Sequence, residues 1–261
     1  MAPPVVSEAV RRGIPVDLVN LDAVAGRANR WIGRRASRVF SAVPTDLKLA
    51  HPPVGVPLRR ACLPSGTPAE ARVQLGLSID RRTLLVTGAS QGARSLDRFI
   101  VDQMRAGDPV WQGWQVLHLA AGEIDSLADA YRSAGIPAVV LPFLERMGLA
   151  WTASDFAISR GGASSVAEIS ASRTPAIIVP YPWHKDRHQA RNASSLEAFG
   201  AVEIREDPVL GVEPSAAMAK TLRAWLMSPI DIERRRNAFP DSSEDAAEVL
   251  AHAILEAIDE G

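Results

Sequence analysis

Short apolar runs alternate with amphipathic stretches between residues 83 and 204 of this chain. Runs of four or five apolar residues are typical of buried strands, and they lie at Thr83–Thr87, Gln115–Leu119, Ala138–Leu141, Asp155–Ser159, Ala176–Val179 and Ala201–Ile204. The stretches around them predict helices at Ala69–Leu75, Glu123–Ala134, Arg146–Ala153 and Ala163–Ser172, and helices ending near Arg105 and Phe199. Strands that alternate with helices indicate an α/β fold with a parallel sheet.

The same hydrophobic patterns predict fewer elements at the two ends of the chain. The pattern predicts a helix at Pro4–Arg12, strands at Ile14–Asn20 and Val39–Val43, and between them a helix that ends near Ser37. Three more helices are predicted at Ser215–Met227, Asp231–Asn237 and Ser242–Asp259, the last with Ser242 as its cap and Glu244 and Asp245 near its start. We therefore predict two Rossmann-like parts, an incomplete one in residues 1–59 and a complete one in residues 60–261.

Composition excludes several classes of protein. A formal net charge of −1 gives no broad electrostatic case for nucleic-acid binding. The single cysteine, Cys62, excludes an internal disulfide, fits a reducing compartment and is predicted to be structural. No apolar run approaches the ~20 residues that span a bilayer, and the first residues lack the charged and apolar regions of a secretory signal.

The stretch from Asp155 to Asn192 carries the most chemistry. A predicted strand leads into Arg160-Gly161-Gly162 and then into a helix on which Ser164, Ser165 and Glu168 share one face. A helix start after a Gly turn favours an anion, and a carboxylate one turn further in accepts hydrogen bonds from hydroxyls, as acidic residues do for ribose. This combination suggests a nucleotide site, although an ordinary strand–helix–strand unit with an exposed Glu has the same pattern.

A second Gly loop, Gly88-Ala89-Ser90-Gln91-Gly92, follows a predicted strand and leaves two interpretations open. The loop is typical of a phosphate site, but Gly-x-Ser-x-Gly is also the nucleophile elbow of α/β-hydrolases. A hydrolase triad in the order Ser, Asp, His has several candidate members: Ser90, Asp155 or Asp186, and His188 or His252. This alternative leaves the Arg160–Glu168 motif unexplained.

His184 and His188 have the spacing of two metal ligands on one helix face, with Asp186 between them. A zinc protease of the His-Glu-x-x-His kind requires Glu directly after the first His, where this chain has Lys185. Because no third ligand is evident, we expect no metal here.

The motifs taken together resemble one family. Arg-Gly-Gly-Ala-Ser-Ser-Val-Ala-Glu (residues 160–168), Pro-Ala-Ile-Ile-Val-Pro (175–180) and His-Lys-Asp-Arg-His-Gln-Ala-Arg-Asn (184–192) resemble the donor-binding half of MurG, the peptidoglycan N-acetylglucosaminyltransferase family of the GT-B fold. Gly-Val-Pro-Leu-Arg (55–59) resembles the family's hinge motif, and residues 142–147 resemble its uracil loop. The resemblance extends over nearly the whole chain.

The resemblance implies a role for individual residues. Arg59, Ser90, Gln91, Gly92 and Ala93 would hold the donor diphosphate; Leu144, Met147 and Glu168 the uracil and ribose; and Asp22, Ala163, Ser164, Ser165, His188 and Gln189 the sugar. The chain departs from the family in having Asp22 for an Asn and His188 for a Gln. The implied reaction is an inverting transfer of N-acetylglucosamine from UDP-N-acetylglucosamine to a lipid-linked muramyl peptide, without a metal cofactor. The resemblance identifies no base in this chain, and Asp22 is a candidate for that role.

The resemblance also implies a place at the cytoplasmic, inner face of the plasma membrane. Arg27, Arg30, Arg34 and Arg38 are predicted to form one helical stripe beside Trp31. Such a stripe suits anionic lipid headgroups or a lipid-linked diphosphate, although many charge runs are simply solvated faces. In GT-B proteins a terminal helix, here Ser242–Asp259, often crosses back to the first domain.

One family motif is missing from this chain. The family has an acceptor-side loop spelled Gly-Gly-Thr-Gly-Gly-His near its amino terminus, and no such loop is present here. We therefore expect either a fragment of a longer transferase or the UDP-sugar-binding half of a split or degenerate one, with an amino-terminal half as partner. Such a chain is expected to bind the donor and to transfer sugar poorly by itself.

Overall fold

The computed structural model describes residues 2–48, 52–88, 93–120, 122–241 and 245–259. The predicted diphosphate residues Ser90, Gln91 and Gly92 lie outside the described residues, as do Ser242 and Glu244. The chain divides into two compact units, Met1–Leu58 with Ser243–Gly261, and Arg59–Ser242.

Regular elements follow the predicted alternation along the chain. The strands are β1 (Asp17–Asn20), β2 (Arg38–Ser41), β3 (Arg82–Thr87), β4 (Trp114–Leu119), β5 (Ala138–Leu141), β6 (Phe156–Ser159), β7 (Ala176–Ile178) and β8 (Val202–Ile204). The helices are α1 (Ala2–Arg11), α2 (Arg27–Gly33), α3 (Pro68–Gln74), α4 (Arg94–Arg105), α5 (Ile124–Ser133), α6 (Met147–Ala153), α7 (Ala163–Ser172), α8 (His188–Ala198), α9 (Val212–Met227), α10 (Pro229–Asn237) and α11 (Ala246–Asp259). Short 3-10 turns lie at Arg60–Cys62, Pro109–Trp111 and Pro208–Leu210.

The first unit pairs β1 with β2 in parallel, from Asp17 opposite Arg38 to Asn20 opposite Ser41. Helices α1 and α2 contribute to a small core built from Val6, Leu18, Ile32 and Val39. Helix α11 packs on the same unit, because Leu250 and Ala253 lie against the fully buried Phe40. Arg38 strengthens this packing by donating from Nη1 to the Ala253 carbonyl over 2.6 Å.

The predicted stripe of four arginines on one helix is wrong. Helix α2 ends at Gly33 and Arg34 is its C-cap, so the chain turns before Arg38, which lies in β2. Arg38 pairs with Asp17, and Arg30 pairs with Asp46. Trp31 is instead covered by Arg35, whose guanidinium carbon lies 3.9 Å from the ring centroid.

The second unit is built on a six-stranded parallel sheet with the order β5-β4-β3-β6-β7-β8. The predicted α/β class with parallel sheets is confirmed. Along the chain, β3, β4 and β5 follow one another toward one edge of the sheet, and β6, β7 and β8 follow one another toward the other edge. The direction of the strand order therefore reverses between the two central strands, β3 and β6. Ligands of doubly wound folds bind at the carboxyl ends of the strands where this reversal occurs.

Helices cover both faces of this sheet, and the strands alternate between the two cores. In β3, Leu84 and Val86 face a cluster completed by α4, α5 and α9, whereas Leu85 faces one completed by α3, α6, α7 and α8. Burial on both faces explains why these strands are continuous apolar runs in the sequence. Within the described residues, no helix is both long and apolar enough to cross a bilayer.

Candidate functional site

The chain after β6 approaches the start of α8 unusually closely. A Cβ atom on Gly161 would overlap the backbone carbonyl of Gln189, so only glycine fits at this position. Asn192, which is buried, closes the contact by donating from Nδ2 to the Gly161 carbonyl over 3.1 Å. The structure therefore brings two groups of predicted sugar residues together, those at the start of α7 and those at the start of α8.

Helix α7 begins with exposed backbone donors. Gly162 is its N-cap with an extended backbone, and no described side chain caps the helix. Ala163, Ser164 and Ser165 form the first turn, where N–H groups lack intrahelical partners and the helix dipole is positive. This turn is suited to the oxygen atoms of a polar or anionic ligand.

The start of α8 is organised by short polar contacts. Gln189 Oε1 accepts a hydrogen bond from the Tyr181 backbone N–H over 2.8 Å, which fixes the orientation of the amide. His188 Nδ1 lies 2.7 Å from Asp186 Oδ1, and hydrogen bonding to His188 lowers the pKa of the Asp186 carboxyl. Arg187 adopts φ 51°, which is uncommon for a non-glycine residue, and turns the chain into the helix at His188.

The two imidazoles stack on each other instead of converging on a common point. The His184 and His188 ring centroids are 4.5 Å apart with an angle of 30° between the ring planes, and Tyr181 packs on the other side of His184. The described residues contain no group of three or more His, Cys, Asp or Glu side chains that could hold a metal ion.

Glu168 is anchored by residues from two other segments. The buried Trp151 of α6 donates its indole N–H to Glu168 Oε2 over 2.8 Å. Cys62, in the turn Arg60–Cys62, also lies beside this carboxylate: burial, and then the Glu168 charge, raise the pKa of the thiol. Arg59 Nη2 lies 3.7 Å from the Cys62 sulfur. The predicted diphosphate residue and the predicted ribose residue are thus connected through Cys62.

Gly148 in α6 allows the chain that follows the Arg60–Cys62 turn to pack closely against this helix. A Cβ atom on Gly148 would overlap the carbonyl of Leu63, the residue that follows the Arg60–Cys62 turn. Leu144 and Met147 pack, partly buried, on the same core cluster as Trp151 and Val166. The predicted uracil residues therefore lie next to the helix that holds Glu168.

A buried ion pair lies at the carboxyl edge of the sheet, and the sequence analysis missed it. Arg160 Nη1 lies 2.6 Å from Asp207 Oδ2, and the side chains are 8% and 0% exposed. Arg160 also donates to the Val179 carbonyl over 3.0 Å and to the Ser95 hydroxyl over 3.0 Å. The pair joins the ends of β6 and β7 to the first turn of α4. The Asp-Pro step at residue 207 is a turn signal that could have drawn attention to this carboxylate.

Ala93, the described member of the predicted diphosphate loop, lies directly before α4. It is 5% exposed, and its carbonyl accepts hydrogen bonds from the backbone N–H groups of Leu96 (2.8 Å) and Asp97 (3.0 Å). Ala93 follows β3 and directly precedes α4, just as Gly161 follows β6 and precedes α7.

Asp22 belongs to the first unit, whereas the other predicted site residues belong to the second. It lies between β1 and α2, where the buried Asn20 donates from Nδ2 to the Asp22 carbonyl over 2.8 Å. Asn20 also donates to the Ser41 hydroxyl over 3.0 Å, and Asn29 donates to Asn20 Oδ1 over 3.0 Å. This amide network fixes the backbone at Asp22. In the sequence, the network is indicated only by Asn20, a polar residue at the end of a predicted strand.

The hydrolase alternative finds no described triad. Asp155 lies at the amino end of β6, where it pairs with Arg72 over 2.8 Å and accepts from the Thr83 N–H over 2.7 Å. It is therefore at the opposite end of the strands from the loop after β3. His252 belongs to α11 in the first unit. His188 lies beside Asp186, as two members of a triad would, but Ser90 is outside the described residues.

The doubly wound parallel sheet places the Gly161 turn at its reversal point, where ligands of such folds bind, and the anchored Glu168 carboxylate lies on the helix that follows. Residues 83–250 match the family model for the glycosyltransferase family 28 C-terminal domain. The chain belongs to glycosyltransferase family 28.

Two curated relatives with the same name and one solved structure are similar to this chain over most of its length. The UDP-N-acetylglucosamine--N-acetylmuramyl-(pentapeptide) pyrophosphoryl-undecaprenol N-acetylglucosamine transferase of Vibrio cholerae is 37% identical over 93% of this chain and 66% of its own length. The protein of that name from Mycolicibacterium vanbaalenii is 38% identical over 95% of this chain and 62% of its own length. The crystal structure of Acinetobacter baumannii MurG aligns with a TM-score of 0.74 and 25% identity, covering 98% of this chain and 70% of that one.

These matches confirm the resemblance to MurG that the motifs indicate. The chain spans slightly less than two thirds of the length of the two curated relatives. They also remove the hydrolase interpretation of Ser90, because the strand and loop that carry it fall in the glycosyltransferase domain.

Proposed function

We propose that the second unit binds UDP-N-acetylglucosamine and that the protein transfers N-acetylglucosamine to a lipid-linked muramyl peptide in peptidoglycan synthesis. The names of the relatives support this reaction. The observation that carries the donor site is the position of Glu168, anchored by Trp151 on the helix that begins at the reversal point of the sheet. An ionised carboxylate only accepts hydrogen bonds, which suits the two hydroxyls of a ribose.

The remaining donor contacts follow the two helix starts. Leu144 main-chain groups would meet the uracil, with Met147 beside them on the same partly buried surface. Arg59, which is exposed and within reach of the Cys62 sulfur, would face the diphosphate together with the backbone of residues 90–93. A guanidinium is suited to this task because it presents several donors in one plane.

The sugar would lie between the starts of α7 and α8. The first turn of α7, Ala163–Ser165, offers N–H groups and the two serine hydroxyls. Gln189 has its Oε1 committed to Tyr181, so its NH₂ group is the one that a sugar hydroxyl would meet. His188 would offer its ring on the same side of the helix start.

The chemistry is a direct displacement at the anomeric carbon, in which negative charge builds up on the departing UDP diphosphate. Preorganised donors aimed at that charge stabilise the transition state, and Arg59 with the loop before α4 would supply them. We propose that this scheme needs no metal, so donor affinity should be the same with and without EDTA. A loss of binding on chelation would contradict this.

Titration calorimetry of the chain with UDP, UDP-N-acetylglucosamine and GDP tests the donor site. We expect tighter binding of the two uridine ligands than of GDP. Glu168→Ala should weaken UDP binding by ~1.5–3 kcal/mol, as for other hydrogen bonds to a charged group. Glu233→Ala, which alters an exposed glutamate of α10, is the matched control and should change nothing. Equal affinity for UDP and GDP would reject the uracil assignment.

The acceptor side is tested by transfer itself. Asp22 is proposed as the base, because the Asn20 amide network fixes the backbone at this position. With a lipid-linked muramyl-peptide acceptor and radiolabelled donor, Asp22→Ala should abolish transfer. Because Asp22 is also a proposed sugar contact, this variant should bind UDP-N-acetylglucosamine more weakly while its UDP affinity stays unchanged. Undiminished transfer by Asp22→Ala would reject Asp22 as the base. Donor binding without any transfer by the unaltered chain would restrict the function to a UDP-sugar-binding module.

We further propose a peripheral attachment to the inner face of the plasma membrane, where a lipid-linked acceptor is found. The exposed Val5 and Val10 on α1 and the Arg35–Trp31 stack at the end of α2 support this. Sedimentation with vesicles containing anionic lipid should show binding that weakens as salt is added. Equal sedimentation with neutral and anionic vesicles would argue against an electrostatic contribution.

A further inference from the structure

Trp151 and Glu168 form the most specific side-chain contact at the site. Trp151 is 1% exposed and its ring is held in the core cluster between the sheet and helices α6 and α7. Its indole N–H has one direction in which to donate, and it donates to Glu168 Oε2 over 2.8 Å. A rigid donor thus fixes one oxygen of a carboxylate that is itself only partly buried.

Fixing one oxygen determines what the other oxygen can do. A free glutamate side chain on a helix surface rotates about three bonds, and ordering it costs conformational entropy when a ligand binds. With Oε2 held by the indole and the Cys62 thiol also hydrogen-bonded to the carboxylate, the carboxylate plane is set before the ligand arrives. Its remaining lone pairs can accept from an incoming hydroxyl. A binding group that is already ordered yields more affinity per hydrogen bond.

Cys62 is a second neighbour of the Glu168 carboxylate. Burial and the neighbouring Glu168 charge raise the pKa of the thiol, so it stays protonated at neutral pH and cannot repel the carboxylate. Two segments distant in sequence, the Arg60–Cys62 turn and α6, therefore converge on one side chain of α7.

We propose that Trp151 is a positioning residue, which orients the Glu168 carboxylate toward the ribose hydroxyls of the nucleotide. This inference rests on the proposed donor site and adds to it a residue that touches no ligand. The competing explanation is that the indole–carboxylate contact only stabilises the fold.

The molecule supplies its own control for that explanation. Trp225 of α9 donates its indole N–H to Glu203 Oε2 over 2.9 Å, and Trp225 is 4% exposed. The indole–carboxylate contact is the same and the tryptophan is similarly buried, although Glu203 is also paired with Arg205 and Arg235. This pair lies on the edge strand β8, away from the reversal point of the sheet. Trp151→Phe and Trp225→Phe each remove one N–H donor and keep an aromatic ring.

The experiment measures the affinity of the unaltered chain and both variants for UDP and for 2′,3′-dideoxy-UDP. We expect Trp151→Phe to weaken UDP binding about tenfold, by analogy with loss of a hydrogen bond to a charged group, and to change dideoxy-UDP binding less than twofold. Trp225→Phe should leave both affinities within twofold. Equal losses for both ligands in Trp151→Phe would show a purely structural role and overturn the inference.

The outcomes separate the inference from the proposed function. If the unaltered chain does not bind UDP, or does not distinguish UDP from the dideoxy ligand, the proposed ribose contact of Glu168 fails. If it distinguishes them and Trp151→Phe does so equally well, only the inference fails.

A second measurement covers the case in which Trp151→Phe does not fold. In the unaltered chain labelled with 15N-indole tryptophan, the Trp151 N–H resonance is identified by its change in Glu168→Ala. UDP should shift this resonance more than dideoxy-UDP does. Identical shifts with the two ligands would overturn the inference.

Discussion

The two ends of the central sheet each carry an arginine–aspartate pair, and the pairs serve different purposes. At the amino end, Arg72 and Asp155 lie 2.8 Å apart with side chains that are 13% and 28% exposed. At the carboxyl end, Arg160 and Asp207 lie 2.6 Å apart and are 8% and 0% exposed. The chemistry is the same, so the difference between the pairs lies in burial and in the segments that they join.

The amino-end pair connects segments that meet at the amino end of the sheet. Arg72 also donates to the Ala153 carbonyl over 3.0 Å, and Asp155 accepts from the Thr83 N–H. These contacts fasten α3 to the start of β3 and to the end of α6. The carboxyl-end pair joins the ends of β6 and β7 to the first turn of α4, which are the segments that would surround a ligand. We therefore predict that the amino-end pair supports the fold alone and that the carboxyl-end pair also supports the proposed site.

The largest expected effect comes from breaking the carboxyl-end pair. Arg160→Met leaves the buried Asp207 charge without its partner, which typically costs about 3–5 kcal/mol. Urea unfolding should show this loss. UDP affinity should fall because Ser95, in the first turn of α4, loses Arg160 as a donor and keeps only its hydrogen bond to Asp207.

Removing both charges provides the control for that experiment. In Arg160→Met/Asp207→Leu no uncompensated charge remains, so the double variant should be more stable than Arg160→Met. A double variant at least as unstable as the single one would show that packing, and not the buried charge, causes the loss.

Gly161→Ala should have the next largest effect. The new methyl group would overlap the Gln189 carbonyl, and overpacking of this kind costs about 1–3 kcal/mol. Because α8 must shift, UDP-N-acetylglucosamine should lose its affinity relative to UDP. Gly162→Ala is the matched control, since its Cβ would meet only Ser165 Oγ, at 3.9 Å. The same sugar discrimination in both variants would contradict the contact's proposed role.

Arg72→Met sharpens the comparison from the other end of the sheet. The pair is partly solvated and Asp155 keeps its bond to the Thr83 N–H, so we expect a loss of only about 1–2 kcal/mol in urea unfolding. UDP affinity should stay within twofold of the unaltered chain. A loss of UDP affinity as large as that in Arg160→Met would remove the distinction between the two ends.

The smallest effect concerns pH. Hydrogen bonding to His188 lowers the pKa of Asp186 below its ordinary value of 3.8. The carboxyl therefore contributes stability above that value and loses it as the pH falls through the lowered pKa. Asp186 is 46% exposed, so the contribution should be below ~1 kcal/mol.

Comparing the unaltered chain with Asp186→Asn between pH 3 and pH 7 measures it. The difference in unfolding free energy should shrink as the pH falls below about 3.8, because protonation of Asp186 removes the acceptor of this hydrogen bond. A difference that grows on acidification would contradict the assigned cause.

Local patterns predicted the parts of this fold that local rules determine. Helix α7 has the predicted bounds Ala163–Ser172, since a Gly turn precedes it and Arg173 ends it in a left-handed conformation. The apolar runs became strands because both faces of the sheet are buried. The predicted end of helix α2 was wrong. Its sequence pattern continues to Ser37, but the helix ends at Gly33 and Arg38 then pairs with Asp17 in the sheet.

The candidate site was predictable where it repeats a family motif and not where distant segments meet. Trp151 precedes Glu168 by 17 residues, and Asp207 follows Arg160 by 47, so no spacing rule connects them. Cys62 was predicted to be structural, because nothing near it in the sequence indicates that Glu168 packs against its thiol. Such contacts depend on the order of strands in the sheet.

The hydrogen bond from the Tyr181 backbone to Gln189 has a consequence for what this edge of the sheet can accept. One lone pair of the amide oxygen is taken, so the NH₂ group is the part of the amide that is most available to a ligand, whereas a carboxylate such as that of Glu168 accepts protons from hydroxyls. A bound molecule is therefore expected to be chemically directional, with lone pairs at one end and hydroxyl protons at the other. Methylating a hydroxyl that faces the glutamine would preserve the interaction, and methylating one that faces the glutamate would abolish it.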